Sequence, residues 1–160
     1  MAKESKSRSK SGPPRTRDQL QSYIPYLFNR LSNGWNTDQN RDLSEHGINN
    51  VVFRTLSVLY IYKSLTVNEI ADLAVTEQST ASRVIESMVS SGWVKREIAE
   101  EDQRRRVVAL TADGEALLRK IWPIMEKNYD RLTDGIDSAD LEACARVLAR
   151  MVENIRQNDI

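Results

Sequence analysis

Residues 65–114 constrain the fold of this chain more than any other part of the sequence. Residues 66–69 read Thr-Val-Asn-Glu, the pattern of a helix capping box, and apolar residues at helical spacing follow them. A second short helix is predicted over 77–91, followed by a glycine that ends it. Alternating apolar and charged residues at 93–97, and more weakly at 107–110, predict two antiparallel strands. Two short helices followed by a β-hairpin are the pattern of a winged helix-turn-helix.

The predicted helix 77–91, with Thr76 as its expected N-cap, has two unlike sides. One side is apolar and consists of Ala81, Val84, Ile85, Met88 and Val89. The other side consists of Gln78, Ser79, Ser82, Arg83 and Glu86, mostly short hydrogen-bonding residues with one arginine, and Thr80 is a further candidate DNA contact. Such a surface is typical of a helix that enters the DNA major groove. An ordinary solvent-facing side has a similar composition, so the helix alone does not decide between the two.

The loop between the predicted strands, residues 98–106, is the second informative feature. It ends in Arg104, Arg105 and Arg106, and four acidic residues shortly before them make the loop nearly neutral. A simple phosphate-binding patch has no need of Asp102. A carboxylate two residues before an arginine can instead hold the guanidinium of Arg104 in one direction, which reduces the entropy lost when it enters a groove. The loop therefore favours a DNA contact.

Charge and composition limit where such a contact can lie. The chain has 23 lysines and arginines and 23 aspartates and glutamates, so it lacks the overall basic bias typical of nucleic-acid-binding proteins. Residues 1–17 hold six of the basic residues and one acid, a net charge of +5, which leaves −5 for the rest. We expect 1–17 to be a disordered basic tail, either simply solvated or adding sequence-independent attraction to phosphates. Any DNA-binding face on the folded part must be a local patch.

Several classes of protein are excluded by what the sequence lacks. Cys144 is the only cysteine and His46 the only histidine, so neither an intramolecular disulfide nor a metal site is expected. Without a glycine-rich phosphate loop, or a nucleophile with a nearby base, we expect neither an enzyme nor a cofactor. Without a signal peptide or a long apolar run, the chain is predicted to be cytoplasmic and to have no membrane contact. Cys144 lies on an apolar stripe and is expected to be a buried, inert thiol.

The parts of the chain outside residues 48–114 are expected to form a dimerisation layer. Residues 18–47 begin with apolar residues at helical spacing, and Pro25 either kinks this helix or restarts it. The polar segment 34–45 is expected to fray or to cover the structure loosely. Residues 115–160 are expected to contain a long helix kinked at an internal proline and a last helix with a narrow apolar stripe. The predicted dimer interface consists of Leu20, Ile24, Leu27, Leu141, Leu148, Val152 and Ile155.

These terminal stripes exceed what a winged unit of this size needs for its own core, so pairing with a second copy is the simplest explanation. A two-fold axis places two DNA-reading helices about 34 Å apart, so the predicted partner is double-stranded DNA with an inverted repeat. The predicted fold class is mainly α with a small β-hairpin, a winged helix-turn-helix with N- and C-terminal dimerisation helices. The alternative is a winged-helix module for protein interaction or dimerisation, which has no evident use for the arginine loop.

The sequence resembles the MarR family of bacterial transcriptional regulators over about residues 27–118. The resemblance is carried by a motif in the predicted β-hairpin, which is the wing of the fold, and in the start of the helix after it. This wing motif reads Asp102-x-Arg104-x-x-x-Val108-x-Leu110-Thr111-x-x-Gly114. The runs 78–85 and 91–94 are also similar to the family's, as is Gly47-Ile48 ahead of Phe53-Arg54. The resemblance implies a homodimer of winged lobes, usually a repressor released by a small molecule. It implies that the major groove and its phosphates are contacted by Gln78, Ser79, Ser82 and Arg83. It also implies that Arg104 enters the minor groove, held in position by Asp102. Arg105 and Arg106 are then expected to contact phosphates or to belong to the strand.

The resemblance also implies an effector crevice between the dimer helices and the winged lobe, often for aromatic or phenolic anions. The residues expected to line it form an aromatic and cationic set, Arg30, Trp35, His46, Phe53 and Arg54. The sequence departs from two subfamilies. Peroxide-sensing members use a reactive cysteine near the first helix, whereas Cys144 is near the end of the chain, and zinc-responsive members need more than one histidine.

Overall fold

The computed structural model of the protein describes residues 12–99 and 104–156 and is mainly helical over these ranges. Most of the predicted basic tail and Asp102 therefore lie outside the described residues. In chain order the elements are α1 (Arg17–Gln21), α2 (Ile24–Ser44), α3 (Asn50–Tyr62), β1 (Ser64–Leu65), α4 (Val67–Leu73), α5 (Gln78–Ser90), β2 (Val94–Ile98), β3 (Arg106–Leu110), α6 (Ala112–Thr133) and α7 (Ser138–Arg156). Within the described ranges no helix is long and apolar enough to cross a membrane.

The three strands form one antiparallel sheet in the order β1-β3-β2. In the hairpin, Val94 is opposite Leu110 and Ile98 is opposite Arg106. Both predicted strands are confirmed, with β2 one residue later along the chain than predicted and β3 beginning one residue earlier. Strand β1 adds an edge in which Leu65 pairs with Val108. The sequence did not indicate this strand, because two residues are too few to show an alternating pattern.

Helix α2 shows whether Pro25 kinks or restarts the first helix, and whether the polar segment 34–45 is helical. The chain leaves α1 and restarts with Pro25 in the first turn of α2, where its missing N–H is not needed. The prediction that 34–45 frays is wrong, since α2 continues to Ser44. Polar residues on this segment bond to the next helix: Asn40 Oδ1 accepts from the Asn50 backbone N at 2.9 Å. Leu43 from the same segment is fully buried in the core.

Helix α3 is the centre of the core. Asn49 caps it, with its Oδ1 accepting from the backbone N of Val51 and Val52 at 3.0 Å each. Leu56 and Leu59 are almost fully buried and pack with Ile85 and Met88 of α5 and with residues of α6. Tyr60 is 40% exposed. It lies near the end of the helix, where the core no longer covers it.

Helices α4 and α5 are the predicted pair of short helices. The capping box is present, because Glu69 N donates to Thr66 Oγ1 and Thr66 N donates to Glu69 Oε2. The prediction that Thr76 caps α5 is wrong. The N-cap is Glu77, without a side-chain capping bond, because the turn through Val75 places the helix start one residue later. Val75 has a positive φ of 52°, a conformation that is costly for a β-branched residue.

The wing joins α6 at a close contact. Thr111 caps α6 by accepting from Gly114 N at 3.1 Å, and its hydroxyl donates to the Gly92 carbonyl at 2.6 Å. A Cβ on Gly114 would lie 2.0 Å from the Trp93 carbonyl oxygen. Helix α6 therefore starts tightly against the beginning of β2, and it runs on through Pro123 to Thr133.

Helix α7 contacts the rest of the described chain mainly near the start of α2. Cys144 and Leu148 line a groove together with Ile24, Leu27 and Leu31. Cys144 is exposed, so the prediction of a buried thiol is wrong for the single chain. The reason is that within the described residues the apolar stripe of α7 is only partly covered.

Candidate functional site

The polar side of α5 lies on the surface, as its sequence predicted. Gln78, Ser79 and Arg83 are exposed, while Thr80 and Ser82 are half-buried. The opposite side is held in the core by Ala81, Ile85 and Met88, each with no exposed surface. The predicted contact residues therefore occupy the first two turns of one helix, with the donors and acceptors of short side chains facing solvent.

One acidic residue on the exposed side of α5 is partly neutralised by the wing. Glu86 Oε1 lies 4.0 Å from the Arg96 Nη2 on β2. This matters because an unpaired carboxylate on this side would repel an anionic ligand. Arg83 forms no hydrogen bond or ion pair with any residue in the described ranges, so its charge is available to an external partner.

Gln78, the first residue of α5, is held by the preceding helix. Its Nε2 donates to Asn68 Oδ1 at 2.7 Å, and both side chains are on the surface. One N–H of the amide is used in this bond. The Oε1 and the second N–H are the atoms left to contact another molecule.

The wing arginines differ in their surroundings. Arg104, Arg105 and Arg106 are all exposed, and Arg106 opens β3. Arg105 forms an ion pair with Glu69 in the first turn of α4. Asp102, the predicted partner of Arg104, lies outside the described residues.

Glu69 is held in place by more than this ion pair. Its Oε2 accepts from the Thr66 backbone N at 2.7 Å and from Thr66 Oγ1 at 2.8 Å. The pKa of the Glu69 carboxyl is lowered below its ordinary value. The largest cause is the hydrogen bond from the Thr66 backbone N–H, followed by the one from the Thr66 hydroxyl, and Arg105 contributes less. The carboxylate is therefore charged and oriented before it meets Arg105.

A second feature is a cavity of about 760 Å³ between α2, α3 and α6. Three residues of the predicted effector set meet in it, namely Trp35, Phe53 and Arg54. The remaining lining comes from Gln39, Ser57, Val58, Leu73, Trp122, Met125, Glu126, Tyr129 and Asp130. Four of the twelve lining residues are aromatic, and the size of the cavity is in the range of small-molecule sites.

Polar groups with weak or missing partners face this cavity. The Arg54 Nε is buried and has no hydrogen-bond partner within the described residues. Burial lowers the pKa of the Arg54 guanidinium, which still remains a cation because its ordinary value is far above neutral pH. Gln39 is 6% exposed, and its amide N contacts the Met125 sulfur at 3.5 Å, a weak hydrogen bond. An anion with a hydrogen-bonding group would satisfy both side chains.

Two residues of the predicted effector set lie elsewhere. Arg30 is exposed on α2 and donates to the Tyr26 hydroxyl at 3.3 Å, and His46 lies in the turn after α2. Neither is among the residues that line the cavity. Trp122 and Tyr129 of α6 were not predicted, although they share one side of the helix with Met125 at helical spacing. That spacing was the signal in the sequence, and it also fits a plain core stripe.

The exposed polar side of α5, the β2–β3 wing and the three-stranded sheet together define a winged helix-turn-helix protein. A family model described as the MarR family matches residues 46–105. A crystal structure of a MarR family transcriptional regulator from Silicibacter pomeroyi DSS is 34% identical, covers 90% of this chain and 97% of its own, and has a TM-score of 0.85.

Two more distant relatives are also similar to this chain. The HTH-type transcriptional regulator MhqR of Bacillus subtilis (strain 168) is 22% identical over 131 residues, 82% of this chain and 90% of that protein. A structure of Bordetella bronchiseptica BpsR, whose DNA binding is regulated by 6-hydroxynicotinic acid, is 20% identical, covers 88% of this chain and 98% of its own, and has a TM-score of 0.75. The chain belongs to the MarR family of transcriptional regulators, a family of regulators rather than enzymes.

Proposed function

We propose that the protein is a homodimeric repressor that binds an inverted-repeat operator and is released by a small aromatic anion. The observation that carries the DNA-binding part is the exposed polar side of α5, with Gln78, Ser79 and Arg83 presented beside an arginine-rich wing. Short hydrogen-bonding side chains read base edges in the major groove, and arginines contact phosphates or a narrow minor groove. Thr80, Ser82, Arg104 and Arg106 complete the proposed contact surface.

The terminal helices support the dimer. Leu20, Ile24 and Leu27 at the start of the chain and Val152 and Ile155 near its end are between 38% and 66% exposed. Leu141 and Leu148 of the same predicted interface are half-buried. Exposed apolar residues of this number on the terminal helices are rare on monomers and typical of an oligomer interface. A symmetric dimer through this face gives two DNA-reading helices, which is the reason for proposing an inverted repeat.

The cavity between α2, α3 and α6 supports the effector. Its four aromatic residues suit a planar ring, and the half-buried cation of Arg54 suits a carboxylate or phenolate. An aromatic acid, 6-hydroxynicotinic acid, regulates the DNA binding of BpsR, and it has the chemistry that this cavity suits. Because the cavity lies between the winged unit and the long helices that flank it, occupancy can change the distance between two winged units.

The DNA-binding part is tested by selecting duplexes from a random-sequence library with the full-length protein and footprinting the selected sequence. We expect a protected inverted repeat. Arg83→Ala and Arg104→Ala are each expected to weaken binding by about 1–3 kcal/mol. Arg119→Ala, which removes an exposed arginine on α6 that pairs with Glu115, is the matched control and should bind like the wild type. Failure to enrich any sequence at low salt contradicts the proposal.

The effector part is tested by thermal unfolding in the presence of a panel of aromatic carboxylates and phenols. A ligand at a hundred times its Kd is expected to stabilise the protein by about 2.7 kcal/mol. Arg54→Met should abolish the stabilisation by anionic members of the panel. Arg30→Met is the matched control, because Arg30 does not line the cavity. Equal loss in both variants contradicts the assignment of the cavity.

A further inference from the structure

Two residues in the first turn of α4 each contact one of the two parts proposed to read DNA. Asn68 accepts a hydrogen bond from Gln78 at the start of α5, and Glu69 forms an ion pair with Arg105 at the base of the wing. We propose that this turn is a positioning device that sets the recognition side of α5 and the wing in fixed relation to each other. The inference rests on the proposed DNA-binding function. Asn68 and Glu69 are positioning residues in it and need not touch DNA.

The bond from Asn68 selects one orientation of the Gln78 amide. Gln78 is exposed, so without a partner its side chain would sample many rotamers and both amide orientations. The 2.7 Å bond fixes Nε2 toward Asn68 Oδ1 and leaves Oε1 and one N–H directed elsewhere. That remaining pair of groups matches the N6 donor and N7 acceptor of adenine in the major groove. Asn68 therefore acts on which base pair Gln78 prefers.

The ion pair between Glu69 and Arg105 restrains the wing, and hydrogen bonds from Thr66 fix the Glu69 carboxylate in turn. Thr66 donates to Glu69 Oε2 from its backbone N and its hydroxyl, which leaves Oε1 for Arg105. Arg105 is also fixed at its backbone, because its carbonyl accepts from Ala99 N at 2.9 Å. Fixing Arg105 restrains the backbone next to Arg104, the residue proposed for the minor groove. Arg105 acts here as a strut and not as a phosphate contact.

The direction in which Glu69→Gln changes the affinity for DNA distinguishes two roles of Arg105, a strut that supports the wing and a phosphate contact. Glu69→Gln keeps a carbonyl oxygen that can accept from Thr66, so the cap is retained, while the charge that binds Arg105 is removed. If Arg105 is a strut, Glu69→Gln weakens binding to the selected duplex by about twofold to fivefold, the worth of an exposed ion pair. If Arg105 only contacts phosphate, Glu69→Gln frees a cation and removes an anion, and binding becomes tighter.

The experiment measures affinity, salt dependence and base preference for the duplex selected by the wild-type protein. Glu69→Gln, Arg105→Ala and the double variant form one cycle, in which the double variant is expected to bind no more weakly than Arg105→Ala alone. The slope of log affinity against log salt should stay unchanged in all three. Glu142→Gln removes the same charge from an exposed pair with Arg146 on α7 and should bind like the wild type.

The second cycle uses Asn68→Ala, Gln78→Ala and their double variant. Asn68→Ala is expected to lose about fivefold in affinity and to lose preference at the same base pair as Gln78→Ala. Asn68→Asp keeps an acceptor for Nε2 and should restore that preference. Thermal unfolding of every variant checks that the exposed substitutions leave the fold intact.

Three results overturn the inference. The first is a Glu69→Gln variant that binds as tightly as the wild type or more tightly. The second is a loss of about one unit of salt slope in Arg105→Ala, the mark of a phosphate contact. The third is an Asn68→Ala variant that keeps the base preference. If the wild-type protein itself selects no sequence, the proposed function fails and this inference fails with it.

Discussion

At the scale of single residues, Gly114 shows how the absence of a side chain shapes the molecule. The first turn of α6 approaches the end of α5 and the start of β2 so closely that the Trp93 carbonyl occupies the space of a Cβ. The same turn is held by Thr111, which bonds both to Gly114 N and to the Gly92 carbonyl. The Thr-x-x-Gly part of the wing motif is therefore a packing requirement that joins the wing to α6.

Gly114→Ala is expected to destabilise the protein by about 3 kcal/mol, because the new methyl group would overlap the Trp93 carbonyl oxygen at 2.0 Å and force α6 away from the sheet. Gly34→Ala is the control. Gly34 is inside α2 with no atom near its absent Cβ, so alanine should stabilise this helix by about 0.5–1 kcal/mol. Urea unfolding of both variants measures the difference. Equal stabilities would show that the contact at Gly114 can relax at little cost.

At the scale of elements, the turn between α4 and α5 is the strained part of the helix-turn-helix. Val75 has a φ of 52° and is 74% exposed, so its side chain gains little from packing to offset the left-handed conformation. Such a conformation costs a residue with a Cβ roughly 1–2 kcal/mol, and asparagine tolerates it better.

Val75→Asn is expected to stabilise the protein by about 1 kcal/mol, which raises Tm by roughly 2–4 °C. Val89→Asn is the matched control, because Val89 is partly exposed but lies within α5, where asparagine is a poor helix former. It should lower Tm slightly. Differential scanning calorimetry compares the two variants, and a fall in Tm for Val75→Asn would mean that the turn needs the valine side chain.

The elements that sequence predicted well are those fixed by local chemistry. The Thr66 and Glu69 capping box and the two strands of the wing depend on residues a few positions apart. Predictions failed where a distant partner decides the structure. Asn40 stabilises the polar end of α2 through the N-terminus of α3, and Leu65 becomes a strand only because Val108 is beside it.

The same division applies to the candidate site. The polar side of α5 could be predicted, because one helix carries all of it. The contacts of Asn68 with Gln78 and of Glu69 with Arg105 could not, because the second joins residues 36 positions apart and neither has a periodic signal. Trp122 lines the cavity because α6 packs against α3, where the centroid of its ring is 6.3 Å from that of Phe53. This packing joins distant parts of the chain, so it could not be predicted from the sequence either.

At the scale of the whole molecule, the exposed apolar residues on α1, α2 and α7 remain to be explained by a partner. The winged unit has its own core, formed by α3 to α6, the sheet and the end of α2 at Leu43. The described chain leaves the terminal apolar face mostly uncovered. Leu27, at 45% exposure, lies in the groove that α2 shares with Cys144 and Leu148 of α7. A second copy that covers this face would join two winged units through their terminal helices.

Leu27→Asp is expected to convert the proposed dimer into a monomer, because a carboxylate cannot be buried in an apolar interface without a partner. Sedimentation equilibrium measures the mass. Binding to the selected inverted repeat should fall by about a hundredfold or more, since each winged unit then binds its half-site alone. Ile61→Asp is the matched control, because Ile61 is 68% exposed on α3, away from the terminal helices, and should leave both properties unchanged. A Leu27→Asp variant that stays dimeric and still binds the repeat would place the dimer contact on another face.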